Sequence, residues 1–244
     1  MNMIKSELYK INRSRSKYIF MLSLALIYII SISKVIRYEN NILDSLIDCY
    51  SFGLPIIVSF GLVILVTSNI CEEFNNLSIK NLIMSGYSRS YIVIGKFFSM
   101  VIYITCVYVI LTSLYVIFSM TQVDISNIYI NFSKVSISGL ILHLLNINFY
   151  IWLYLISIIS FSIMLSFIFK RIDLTLVVFI IILSMISLLG YDISRYTFFI
   201  GMDSYNYIGL AAQSPEEIIN ILSSISNIFL NLFVSCMFLK KYEI

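Results

Sequence analysis

The chain holds few residues that could perform acid–base, nucleophilic or metal chemistry. His143 is its only histidine, and Glu72 and Glu73 form an acidic pair beside an apolar run. A zinc site or metalloprotease would need a second histidine or further carboxylates at helical spacing. No Gly-x-Ser-x-Gly motif occurs, and the cysteines (Cys49, Cys71, Cys106 and Cys236) show no metal-like spacing. The sequence therefore predicts no catalytic residue, no metal and no cofactor.

The composition indicates a lipid environment. Of 244 residues, 60% are hydrophobic and 12% are charged, whereas soluble domains average roughly 45–50% and 25%. The mean hydropathy of +0.96 agrees. So few polar residues could not cover a soluble fold of this size. Disorder and a disulfide scaffold are excluded, and a net charge of +3 gives no basic surface for nucleic acid.

Six continuous apolar runs predict six transmembrane helices in one all-α domain, 1–244. A span needs about 20 apolar residues, and continuous runs favour helices over the alternating strands of a barrel. The fourth run is preceded by apolar sequence at 137–145, which is either part of it or a separate interfacial or re-entrant turn. The runs cover residues 18–36, 52–70, 97–120, 147–169, 174–189 and 218–239.

The basic residues predict the orientation of the spans. With the N-terminus inside, twelve of the sixteen Lys and Arg residues fall on the cytoplasmic side, as the positive-inside rule requires. Both termini are then cytoplasmic. The centres of the runs carry no charge that could drive ion-coupled transport, and Lys34 and Lys96 lie near enough to the ends to snorkel. No phosphate-binding loop occurs, so we expect the energy source to be a separate protein.

The N-terminal residues 1–17 predict a basic amphipathic helix. Ile4, Leu8 and Ile11 recur at steps of three and four on one face, and lysines and arginines cover much of the remainder. Such a helix anchors in the headgroup plane before turning into the membrane. The alternative is simple positive-inside anchoring with no further role.

The cytoplasmic loop after the second run, residues 71–90, predicts a short helix from about Glu73 to Ser85. Gly86 stands where a left-handed C-terminal cap would fall, and Ser88 or Ser90 could cap the next helix. The apolar residues divide between two faces, which indicates contact with the bundle on one side and with a cytoplasmic partner on the other. One face carries Phe74, Leu77 and Met84, and the other carries Ile79, Leu82 and Ile83.

Two segments resemble the ABC-2 type exporter permeases, in particular the six-span bacterial branch that includes lantibiotic-immunity and peptide-export permeases. The loop pattern E-F-x-N-x-S-I-K-N-x-x-x-x-G-x-S-R-x-Y runs from Glu73 to Tyr91 and is followed by Lys96. The opening I-K-S-E-L-Y-K-I-x-R-S is similar to the connecting helix of that family. Ser78 and Lys80 stand where many relatives carry Thr and Arg, which keeps the hydroxyl and the charge.

The resemblance implies a permease subunit in a bacterial plasma membrane, exporting a hydrophobic or amphipathic cargo such as an antimicrobial peptide. Separate ABC-type ATPase subunits would hydrolyse ATP, and a second, identical or homologous permease chain would complete the pathway. The segment 72–86 would be the coupling helix, and the outer segment 191–215 could be re-entrant. The alternative function is a non-transporting scaffold or sensor that regulates an ATPase. The implied ATPase contacts are Glu72, Glu73, Phe74, Leu77, Lys80, Asn81, Gly86 and Arg89.

Overall fold

The computed structural model describes residues 2–38, 57–122, 129–130, 133–134, 137–188 and 215–240. Apart from a hairpin of two two-residue strands, the elements in these residues are helices. We number them α1 (Asn2–Arg13), α2 (Ser16–Tyr38), α3 (Ser59–Asn75), α4 (Ser78–Met84), α5 (Arg89–Gln122), α6 (Ile137–Phe169), α7 (Ile172–Leu188) and α8 (Pro215–Lys240). The hairpin joins β1 (Tyr129–Ile130) to β2 (Ser133–Lys134) in an antiparallel pair.

The described part of each of the six apolar runs is helical, and four of these helices are long and apolar enough to cross a membrane. In the described part of the chain these four stretches are Ser16–Ser33, Arg89–Phe118, Leu145–Phe169 and Ile221–Lys240. The other two runs form α3 and α7, each of 17 residues. They are shorter than the roughly 20 residues of a typical span. That α3 and α7 also cross the membrane, which would give six crossings in all, stays a prediction.

The sequence 137–145 is continuous with the fourth run. Both lie in the single 33-residue helix α6, whose length of about 50 Å exceeds the hydrocarbon thickness of a bilayer. The alternative prediction of a separate interfacial or re-entrant turn at 137–145 is therefore wrong. The predicted outer segment 191–215 lies outside the described residues, except for Pro215.

Helix α6 is the centre of the bundle. It packs against α3, α5, α7 and α8, and 83% of its membrane-length stretch is buried, compared with 11% for α8. Large apolar side chains on α5 and α8, such as Leu114 and Phe229, instead point outward, with exposed fractions of 58% and 69%. That pattern is typical of a protein whose outer surface faces lipid rather than water.

Hydroxyl and amide groups join the helices inside this bundle. The Ser59 and Tyr154 hydroxyls lie 2.8 Å apart and connect α3 to α6. The Asn231 amide of α8 donates to the Ser160 hydroxyl of α6 at 3.2 Å. Interhelical hydrogen bonds of this kind hold helices together where lipid offers no hydrophobic driving force.

Candidate functional site

Four charged side chains form a closed ring at the end of the bundle where α1, α3 and α5 meet. The ring consists of Glu7 and Lys10 on α1, Glu73 on α3 and Lys96 on α5. Lys96 Nζ donates to Glu7 Oε2 at 2.9 Å and to Glu73 Oε2 at 2.5 Å. Lys10 Nζ donates to Glu7 Oε1 at 2.8 Å and to Glu73 Oε1 at 2.9 Å. Each lysine therefore bridges both carboxylates, and the ring is neutral as a whole.

The sequence of α1 explains how Glu7 reaches this position. Met3, Glu7 and Ile11 are spaced by four residues and form the buried face of α1. That face packs against α5. Gly95 permits the close approach, because a Cβ at this position would lie only 3.0 Å from the Met3 sulfur. Lys96, the next residue, then faces the Glu7 carboxylate.

Pairing is what makes the burial of these charges possible. The exposed fraction of the side chain is 2% for Lys96, 6% for Glu7 and 10% for Glu73, whereas Lys10 is 43% exposed. Burial by itself raises the pKa of Glu7, but the nearby Lys96 and Lys10 ammonium groups reverse this effect and lower it. Burial likewise opposes the charge of Lys10, yet its hydrogen bonds to both carboxylates raise its pKa. An unpaired charge in the same place would be strongly unfavourable.

The structure places two of the predicted partner contacts inside the fold. Glu73 belongs to the charge ring, and Phe74 packs edge-on against Phe167 of α6, with ring centroids 5.6 Å apart. The Lys170 ammonium lies 5.7 Å from the centroid of the Phe74 ring. Lys96 is buried rather than snorkelling to the membrane surface. The sequence analysis missed the ring because its members are distant in the chain. The one available signal was the position of each charged residue on the apolar face of its helix, as with Glu7 between Met3 and Ile11.

The loop helix is shorter than predicted and begins later. Instead of one helix from Glu73 to Ser85, α3 continues to Asn75 and α4 begins at Ser78. The break falls at Leu77, whose φ of +56° lies in the left-handed region. A side chain there costs about 1–2 kcal/mol, and such outliers concentrate at functional segments.

The predicted caps around α4 are confirmed. Gly86 adopts a φ of +90°, and its N–H donates to the Ile83 carbonyl at 3.1 Å. The Tyr87 N–H donates to the Leu82 carbonyl at 3.4 Å, which completes the two-bond pattern of a Schellman cap. The Ser88 hydroxyl then accepts the Tyr91 N–H at 3.3 Å and caps α5.

Helix α4 presents one apolar side to the bundle and another to the surroundings. Ile79 is 1% exposed, and Leu82 and Ile83 pack partly against the core. Leu77 and Met84 are 55% and 68% exposed. The predicted two-sided character is therefore present, except that Phe74 lies inside.

The remaining predicted contacts differ in exposure. Glu72, Asn81 and Gly86 are exposed, and Lys80 is half-buried. Arg89 is half-buried and donates a hydrogen bond to the main-chain carbonyl of Lys240, which ties the start of α5 to the end of α8.

The predicted anchors of the N-terminal helix lie beside its buried face. Ile11 is 1% exposed, whereas Ile4 and Leu8 are half-buried. Helix α1 therefore rests on α5 through Met3, Glu7 and Ile11, and Ile4 and Leu8 border that contact. Its exposed side carries Lys5 and Arg13.

The contacts near α4 link it to the helices of the bundle. Among the described residues, no group of three or more His, Cys, Asp or Glu side chains could hold a metal ion. The ring and the Phe74 contact instead connect α4 to the helices around it, since α4 follows α3 directly. A displacement of α4 would thus be felt by α1, α5 and α6.

Comparison with known proteins identifies the family. A family model described as ABC-2 family transporter protein matches residues 3–183, well over half of the chain. The match includes α1, the charge ring, α4 and the apolar helices through most of α7. No curated protein matches the chain. ABC-2 permeases are multi-pass membrane proteins that associate with ABC ATPase subunits. Because the match covers both segments that carry the resemblance and several membrane-length helices, the chain belongs to the ABC-2 transporter family.

Proposed function

We propose that the chain is the six-helix permease of an ATP-driven exporter in a bacterial plasma membrane, with both termini in the cytoplasm. Two permease chains, identical or homologous, form the pathway, and separate ATPase subunits hydrolyse the ATP. The cargo is hydrophobic or amphipathic, such as an antimicrobial peptide, because the helices offer cargo walls with very few charges. The chain itself has no catalytic residue in this proposal.

The observation that carries the proposal is the two-sided helix α4. Its inner side is fixed by Ile79, and its outer side exposes Leu77 and Met84. Both exposed residues lie in the segment that resembles the coupling helix of these permeases. A strained backbone at Leu77 that supports an exposed leucine is explained if a partner covers this side chain. An ATPase groove that receives an apolar helix face is such a partner.

Three contacts support the transmission of force from α4. On α3, which leads into α4, Phe74 packs against Phe167 of α6, and Glu73 is hydrogen bonded within the charge ring that joins α1 and α5. After α4, Arg89 donates a hydrogen bond to the end of α8. A push on α4 would therefore reach the central helix and the helices that flank it. No charged group at membrane depth needs to take part.

Site-specific photo-crosslinking tests the proposed ATPase contact. A photoreactive amino acid at Met84 should crosslink, in membranes of the native host, to a polypeptide that contains a phosphate-binding loop. The matched control is Leu114, which is 58% exposed but lies on the membrane-length part of α5; it should crosslink to lipid and not to that polypeptide. Crosslinks to such a polypeptide from neither position, or equally from both, would contradict the proposal.

Transport is distinguished from a scaffold role by its dependence on cargo. In vesicles containing the purified complex, amphipathic peptides should stimulate ATP hydrolysis and accumulate in an ATP-dependent manner. A scaffold or sensor would give no ATP-dependent accumulation of any peptide tested, even where a peptide changes the rate of ATP hydrolysis. The unsubstituted complex without ATP is the control.

A further inference from the structure

We propose that α1 is a detachable latch, held on the bundle by a charge ring that divides into two neutral halves when α1 leaves. Glu7 and Lys10 lie on α1, whereas Glu73 and Lys96 lie on the bundle. Separation would break the Lys96–Glu7 and Lys10–Glu73 contacts, both 2.9 Å long. It would leave the Glu7–Lys10 pair on α1 and the Glu73–Lys96 pair on the bundle.

This division removes the usual obstacle to parting a buried ion pair. Breaking such a pair is costly mainly because one charge stays buried without a partner. Here each buried charge keeps one partner of opposite sign in both states. The ring therefore specifies where α1 docks without making its departure prohibitive.

Other features of α1 fit a reversible contact. Among the residues of this helix whose burial the structure describes, only Met3, Glu7 and Ile11 are buried, so little apolar area opposes its departure. Residues 14–15 alone separate α1 from α2, which gives a short linker about which the helix can turn. Lys10 is 43% exposed, so water already reaches one edge of the ring.

The use of the latch during transport rests on the proposed function, but its opening does not. In an exporter, a motion of α4 would act on Glu73 and favour one state of α1 over the other. The opening itself is a property of this chain and is measurable without nucleotide or an ATPase.

The test measures how fast a water-soluble maleimide labels Met3→Cys in the purified full-length chain in lipid nanodiscs. Met3 is 4% exposed when α1 is docked, so labelling reports the open state. Labelling of the chain that retains Met3 is subtracted to correct for the native cysteines. Tyr9→Cys is the matched control, because Tyr9 lies on the same helix and is 69% exposed.

Two isosteric substitutions in the ring should change this rate in opposite directions. In Glu7→Gln, separation leaves Glu73–Lys96 paired on the bundle and Lys10 in water, so labelling should become about tenfold faster. In Glu73→Gln, separation leaves Lys96 buried without a carboxylate, so α1 is needed to neutralise it. Labelling should then become slower by a similar factor. The control position Tyr9→Cys should label at the same rate in all three backgrounds.

A static brace gives a different result. If the ring only adds stability, both substitutions weaken it and both accelerate labelling, which would overturn the proposal. Equal rates in all three backgrounds would also overturn it. Thermal unfolding of each variant identifies any that fails to fold.

A reversible tether supplies a second, independent measurement. The Met3 Cγ lies 3.5 Å from the position of a Cβ at residue 95, so Met3→Cys/Gly95→Cys should form a disulfide on oxidation. In the purified complex, the tether should abolish peptide-stimulated ATP hydrolysis, and reduction should restore it. Undiminished stimulation in the oxidised form would overturn the role of the latch in transport. Failure of the proposed function would instead be seen as absence of stimulation in the reduced and unsubstituted complexes as well.

Discussion

Replacing Lys96 by methionine tests whether the charge ring must be neutral for the fold to be stable. Methionine keeps an unbranched, largely apolar stem but lacks the ammonium group, so the charge of Lys96 and its hydrogen bonds to Glu7 and Glu73 are both lost. The substitution leaves the Glu7 and Glu73 carboxylates, which are 6% and 10% exposed, to share Lys10. Because Lys10 is half in water, one negative charge stays buried and poorly compensated.

The structure sets the size of the expected effect. Removing one partner of a buried ion pair costs about 3–5 kcal/mol, whereas replacing a whole pair is often nearly neutral. Lys96→Met should thus lower the free energy of unfolding by about 3–5 kcal/mol. Lys96→Met/Glu73→Gln leaves only the neutral Glu7–Lys10 pair, so this double variant should lose about 1 kcal/mol. The double variant should therefore be about 2–4 kcal/mol more stable than Lys96→Met, and this difference plus the loss measured for Glu73→Gln alone gives the coupling between Glu73 and Lys96.

Thermal unfolding in detergent measures both variants. At about 2–4 °C per kcal/mol for a chain of this size, the midpoint should fall by on the order of 10 °C for Lys96→Met and by only a few degrees for the double variant. Lys80→Met, at a half-buried lysine on α4, is the control and should stay within about 0.5 kcal/mol. The reasoning is refuted if the double variant is as unstable as Lys96→Met, or if Lys96→Met unfolds like the control.

Positions outside Lys96 are also expected to show measurable effects. Leu77→Gly should raise the free energy of unfolding by about 0.5–1 kcal/mol, because glycine accepts the positive φ. It should also weaken ATPase co-purification, because the exposed side chain is lost. A less stable variant would contradict the strain argument. Gly61→Ala should lower the free energy of unfolding by about 1–3 kcal/mol, since the added Cβ would lie 2.6 Å from the Ser23 hydroxyl. Adding Ser23→Ala should recover part of this loss in thermal unfolding. If it recovers none, the clash does not involve Ser23. The pKa of Glu7 is lowered from 4.5 and that of Lys10 is raised from 10.5, so the stabilisation by the ring should be complete between these two values. It should be lost as the pH falls through the lowered pKa of Glu7, and also as the pH rises through the raised pKa of Lys10. The thermal midpoint, followed from neutral to acid pH, should therefore fall below about pH 4.5, and Glu7→Gln should show a shallower decrease.

Much of the fold could be predicted because the bilayer imposes a simple rule on the sequence. A helix satisfies its own backbone hydrogen bonds, so a continuous apolar run of sufficient length indicates a helix without knowledge of its neighbours. The described part of each of the six runs is helical. Their ends were less predictable: α5 begins at Arg89 rather than Phe97, because polar residues continue a helix readily once it leaves the hydrocarbon.

The local part of the site was predictable for a similar reason. The caps at Gly86 and Ser88 are decided by residues a few positions apart, and both are confirmed. The charge ring was not predictable, since Lys96 and Glu7 are separated by 89 positions and meet only when α1 folds back on α5. The family resemblance implies Glu73 as a partner contact, and it gives no indication of the buried lysine that the Glu73 carboxylate meets.

The rigidity of α4 determines which neighbouring helix would move in response to a push on α4. A seven-residue helix is too short to be stable by itself, so α4 is held by the buried Ile79, the left-handed turn at Leu77 and the Schellman cap at Gly86. With both ends and one face fixed, α4 transmits a push to α3 rather than absorbing it. The push then reaches Glu73, which lies four residues before Leu77 and is hydrogen bonded to both lysines of the ring. Since α3 and α5 continue into the bundle and α1 has only a short linker to α2, α1 is the member of the ring that is free to move.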